Sequence, residues 1–219
     1  NSRSKKIVRN NNSLKILHIS NFGQKSNHRL FNLSIAKKLS KGFIKNGHDV
    51  IDFDYRMLPK KLIFNTTIDQ QILDISSNYN PNLILFGHNN SLKRSTLEFL
   101  KKKYSCKFSI WYEDHVIKND PNYRKNLDLL EKNFDLIDEY FITTSPDIIK
   151  SKIPNSKLNF LPIPVDPNIE EYDFSEIEKN NDMFFALSHG VNYGKLKDNT
   201  FDKRSIFIQR LVNQSNNEL

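Results

Sequence analysis

The stretch Pro81–Asp114, PNLILFGHNNSLKRSTLEFLKKKYSCKFSIWYED, decides the fold. Its opening, PNLILFGH (81–88), is a short apolar run bounded by turn formers, the pattern of a buried strand. SLKRSTLEFLKKKY (91–104) reads as a helix whose last turn carries Lys101, Lys102 and Lys103, where cations suit the helix dipole. CKFSIWYED (106–114) is a second buried strand that runs into ionisable residues at its end. Two such strands joined by a helix, with no hairpin turn between them, are expected to be parallel, because parallel strands need a crossover connection.

The alternation extends both ways. Upstream, LKILHIS (14–20) is a strand and NFGQKSNHR a polar loop. Leu33, Ala36, Leu39 and Phe43 then recur at helical spacing, closed by Gly47 as a C′ glycine. HDVIDFDY (48–55) is the next strand, and TTIDQQILDISSNY a helix with threonine as its cap. Downstream, DPNYRKNLDLLEKNF opens on Asp-Pro, read as a cap with proline at the first helical position. EYFITT (139–144), the short helix SPDIIKSKI and the strand KLNFLPIPV (157–165) complete the series. The expected fold is a doubly wound α/β domain with a parallel sheet.

Four segments follow from this reading: a basic polar lead over 1–13, the sheet domain over 14–165, a polar and acidic linker over 166–181, and a new α/β start over 182–219. DMFFALSHG (182–190) reads as the first strand of that second domain, which stops after the helix DKRSIFIQRLVNQ. Both ends read as cut, so the chain is expected to be a fragment that does not turn over alone.

Composition narrows the function. With 219 residues, 37% hydrophobic and 26% charged, the chain is expected to fold as a soluble protein. A net charge of +8 favours anionic partners, yet the lysines are scattered and no zinc spacing, RNP-like aromatic motif or helix-turn-helix signal accompanies them. Nucleic acid is therefore not the expected partner. The single cysteine, Cys106, excludes an internal disulfide and fits a reducing, cytoplasmic setting. No apolar run reaches the ~20 residues that span a bilayer, which leaves peripheral membrane contact open.

The dinucleotide fingerprint G-x-G-x-x-G is missing from the first turn, where Gly23 stands alone, and no G-x-x-x-x-G-K-[ST] occurs. The acidic set of a response regulator is replaced by Asn21 and Gly87-His88. Other features point elsewhere together: Gly47-His48-Asp49-Val50 entering the second strand, WYEDH (111–115), TTSPDIIK (143–150), Leu161-Pro162-Ile163-Pro164-Val165-Asp166 and FFALSHGVNYGKLK (184–197). In these the chain resembles the N-terminal, Rossmann-like domain of a GT-B glycosyltransferase of group 1, most nearly the CgeB-like branch. The resemblance implies two such domains facing a cleft, the acceptor on the first and a nucleotide-sugar donor on the second, with no metal and no further cofactor. A sugar or glycan acceptor is the implied partner, and self-association is compatible with it.

The resemblance puts His115 and Asp114 at the cleft, as catalytic candidates. Histidine suits this because its pKa near 6.5 allows proton transfer at neutral pH. The plain alternative is a solvated loop. Gly23 is either a close backbone approach to ligand or an ordinary turn glycine. His28 and Arg29 can meet an anionic group, and His88 with Asn89 can meet sugar hydroxyls. Arg56 faces the cleft or pairs with Asp52 or Asp54; Thr143, Thr144 and Ser145 read as caps of the helix at Pro146. Ser188, His189 and Gly190 with Lys195, Lys197 and Arg204 form the donor-phosphate set that the resemblance implies. The rival to glycosyl transfer is a non-catalytic α/β module that binds a nucleotide or sugar.

Overall fold

The computed structural model describes residues 12–23, 34–56, 67–87, 92–118, 120–170, 178 and 203–214. Six parallel strands form one sheet: β1 (Lys15–Ser20), β2 (Asp49–Asp54), β3 (Leu83–Gly87), β4 (Lys107–Tyr112), β5 (Glu139–Ile142) and β6 (Leu158–Phe160). Helices α1 (Ile35–Lys45), α2 (Ile68–Tyr79), α3 (Arg94–Tyr104), α4 (Tyr123–Glu131) and α5 (Pro146–Ile149) lie on its crossovers. The α/β doubly wound architecture expected from the alternation is the one observed.

The strands run in the order β2-β1-β3-β4-β5-β6. The first crossover steps one way and every later one steps back the other way, so right-handed connections put α1 on one face and the remaining helices on the opposite one. Alternation along the strands follows suit. Leu17, Ile19, Ile84, Phe86, Phe108, Ile110, Tyr112 and Tyr140 pack with Ile72 of α2, Leu100 of α3, Leu127 of α4 and Ile149 of α5 in the larger core. Ile16, Leu85 and Trp111 point the other way, onto Ala36 and the neighbouring apolar residues of α1. Strand order reverses between β1 and β3, and the crevice at such a switch point is where open α/β sheets bind ligands.

Local signals set the helix ends. Ser34 and Thr67 are extended N-caps that accept from the Lys37 and Gln70 amides. Gly47, at φ 86°, takes the left-handed position after α1. The Asp120-Pro121 pair does not open α4 as the sequence reading expected; the helix starts at Tyr123, and the Asp120 carboxylate accepts from the Asn122 amide at 2.7 Å. β6 stops at Phe160 rather than Val165. Pro162 and Pro164 have no N–H to give a ladder, so the chain leaves the sheet there.

Past that exit, Asp166 and the short helix α6 (Pro167–Glu170) return to α1. Lys41 and Lys45 hold the Asp166 carboxylate at 3.2 and 3.1 Å, and Lys38 pairs with Glu170. Asp166 is buried, and the Lys45 hydrogen bond, helped by the Asn168 amide and Lys41, holds its carboxyl down at about 2. The chain divides into two units, Asn1–Glu171 and Tyr172–Leu219. The second is described through helix α7 (Lys203–Gln214); the strand expected over 182–190 lies outside the described residues. Among the described residues no helix is long and apolar enough to cross a membrane.

One buried hydroxyl is out of place in this packing. Ser76 Oγ, on α2, is sealed from solvent and has no hydrogen-bond partner among the described residues. Ser76→Ala is expected to raise stability by about 1 kcal/mol, since it removes a desolvated group without opening a cavity. Urea unfolding of the variant checks this, and a lower midpoint would contradict it.

Candidate functional site

At the switch point the sheet ends in a cleft of about 310 Å3. β1 contributes Ser20 and, just beyond it, Asn21 and Gly23. β2 contributes Tyr55 and Arg56, β4 contributes Trp111 and Glu113, and the first residues of α1 close the remaining side. Asp54 fastens two of these loops together: its carboxylate accepts from the Phe22 amide at 3.1 Å and from the Arg56 amide at 2.9 Å. Asp54 is thus a backbone clamp, and Arg56 stands exposed over the Tyr55 ring, with no carboxylate paired to it among the described residues.

Beneath the cleft lies a continuous polar chain. The Trp111 indole N–H donates to His18 Nε2 at 3.0 Å. That bond makes Nε2 the acceptor, so the His18 proton sits on Nδ1 and is donated to Ser40 Oγ at 2.8 Å. Ser40 donates in turn to Asp52 at 2.5 Å, and Lys37 closes the series on the other oxygen at 2.6 Å. His18 is fully buried, and burial pushes its pKa down to about 4 against the opposing pull of Asp52. It is a neutral hydrogen-bond relay at physiological pH and has no route to a substrate.

Gly87 makes this arrangement fit. A Cβ there would stand 2.5 Å from Ser20 Oγ and 2.6 Å from Trp111 Nε1, closer than real side chains approach. The bare backbone at the end of β3 lets the indole pass over it to reach His18. Gly23 is a different case, since a Cβ would meet open space there and its φ of 75° is what requires glycine. It is a turn glycine that lines the cleft, with its amide on Asn21 Oδ1 at 3.1 Å.

The segment after β4 is held by its neighbours. Thr143 Oγ1 donates to the Glu113 carbonyl at 2.9 Å, Thr144 Oγ1 accepts from the Val116 amide at 3.2 Å, and Asn126 Nδ2 donates to the His115 carbonyl at 2.8 Å. The two threonines therefore clamp this loop rather than cap α5, and Ser145 makes no capping bond with its side chain. Pleat parity carries Trp111 and Glu113 to the α1 side, and Tyr112 and Asp114 to the other. Burial raises the Tyr112 phenol, with Asp114 and Glu113 adding to the shift, and Tyr112 shares a hydrogen bond with Asp114.

Of the residues singled out from sequence, Gly23 and Arg56 line the cleft and Asp114 and His115 do not, both being exposed on the loop beyond it. Glu113 is the carboxylate that reaches the cleft. His28, Arg29, His88, Asn89, Ser188, His189, Gly190, Lys195 and Lys197 lie outside the described residues, and Arg204 is placed on α7 by its backbone. Among the described residues no three metal-ligating side chains converge. Sequence reading missed the relay of His18, Ser40 and Asp52 and the fit at Gly87; the signal was a polar side chain inside an apolar strand for His18 and Asp52 and on the buried face of α1 for Ser40, while Gly87 gave none. A scan against protein-family models finds no match, and a search of curated proteins finds no relative.

Proposed function

We propose that the chain is the acceptor side of a glycosyltransferase that moves a sugar from a nucleotide donor to a hydroxyl of a glycan or related acceptor. The observation that carries this reading is the polar switch-point cleft, where Glu113, Arg56, Tyr55 and Asn21 converge beside the start of α1. Glu113 accepts the proton of the attacking hydroxyl while the anomeric bond to the leaving diphosphate breaks and the new glycosidic bond forms. Arg56, with the amides at the start of α1, holds an anionic group of the acceptor. Catalysis then rests on positioning and on stabilising the departing diphosphate. Asp114 and His115, at the same sheet edge, are the further candidates for proton transfer. No cofactor besides the nucleotide-sugar substrate enters the scheme.

The test is release of nucleoside diphosphate from a panel of nucleotide-sugars and glycan acceptors by the complete protein. Glu113→Gln is expected to lower turnover by about 10²-fold or more, with the fold intact because the side chain is not part of the core. Arg56→Ala is expected to raise the acceptor KM. Saturable sugar or nucleotide binding without turnover would favour the non-catalytic module instead, and full activity of Glu113→Gln would remove the carboxylate from the chemistry.

A further inference from the structure

On the other side of β4 from the cleft, the carboxyl edge of the sheet holds a second concavity of about 580 Å3, between the start of α4 and the turn after α5. We propose that this groove binds a small phosphate ester, with its phosphate on Lys118, Arg124 and Lys152 and its organic part against Tyr123 and Ile148. The proposal stands independently of glycosyl transfer.

Several long cations on the described surface sit in ion pairs: Arg94 with Glu98 and Asp135, Lys101 and Lys107 with Asp138, Lys150 with Asp147. At this groove Lys118 and Arg124 have no carboxylate partner among the described residues, and Lys152 has a loose pair with Glu131 at 4.0 Å. Three like charges facing one hollow repel one another until an anion enters. One carboxylate, Asp120, also lines the groove and accepts from the Asn122 amide, so three cations face one anion.

Tyr123 is half-buried and Ile148 is 42% exposed, so an apolar floor lies beside the cations, and Ser151 adds a hydroxyl at the rim. A bare inorganic anion has no use for that floor; a phosphate bearing a ring does. The first turn of α4 carries no acidic residue and no side-chain cap, so its amides add to the same positive field.

Calorimetric titration of the protein with glucose 1-phosphate and with inorganic phosphate tests the assignment. Glucose 1-phosphate is expected to bind saturably and more tightly than phosphate. Lys118→Ala/Arg124→Ala is expected to weaken it by about tenfold or more, the loss of two charge-assisted bonds. Lys102→Ala/Lys103→Ala, which removes the same charge from α3, is expected to leave affinity unchanged. Tyr123→Ala is expected to bring glucose 1-phosphate down to the affinity of phosphate. Equal losses in both lysine-bearing pairs, no saturable binding, or binding only to vesicles of phosphatidylglycerol would each overturn the proposal.

Discussion

Acidification from pH 6.5 to about 4 is expected to remove about 3 kcal/mol of folding stability through His18 alone. In the folded chain the imidazole is sealed and neutral, and its pKa is pushed down to about 4, while in the unfolded chain it takes a proton near 6.5. Between those two values the unfolded state binds the extra proton. The contribution is complete above pH 6.5, falls as pH drops, and is exhausted below about 4. Asp166 titrates lower, at about 2, and leaves this window largely clear. Trp111 is the chain's single tryptophan and donates to His18, so its fluorescence reports the event directly. Urea unfolding followed by this fluorescence would give the stability at each pH. His18→Gln is expected to be less stable at neutral pH and to show a flatter profile from pH 6.5 to about 4. An unchanged slope in that variant would place the acid sensitivity elsewhere.

Gly87→Ala is expected to cost about 3 kcal/mol, for two linked reasons. The added methyl overlaps the Trp111 indole and Ser20 Oγ, and overpacking of this kind costs about 1–3 kcal/mol. If the indole retreats, His18 Nε2 loses its donor inside the protein, which costs about 1–3 kcal/mol more. Calorimetry should show the melting temperature lowered by about 6–12 °C. A double-mutant cycle separates this from a generic strand effect. In a Trp111→Phe background the donor is already gone and the ring is smaller, so adding Gly87→Ala should cost distinctly less. Equal cost in both backgrounds would mean that the glycine serves β3 alone.

Much of the fold was legible because it is encoded locally. Apolar runs between turn formers mark β1 through β5, and each crossover helix announces itself by spacing or by a cap such as Thr67. Proline chemistry at 162 and 164 was equally legible, and weighing it would have ended β6 earlier. The site was less legible. Asp114 and His115 drew attention as ionisable residues at a strand end, whereas Glu113 reaches the cleft. Parity along β4 groups Glu113 with Trp111, but it does not say which of the two faces carries the cleft.

What the amino-acid sequence determined by itself is the alternation of strands and helices, the parallel sense of the sheet and the division of each strand into two faces, because these depend on periods and caps within a few residues. Strand order was decided by the tertiary structure. Placing β1 between β2 and β3 sets His18 level with Asp52 on one neighbour and Leu85 on the other, and brings Trp111 across β3 from 93 residues away. No local pattern encodes that meeting. It arises because the crossover directions put α1 alone on one face, and the buried polar groups of that face had to satisfy one another once water was excluded.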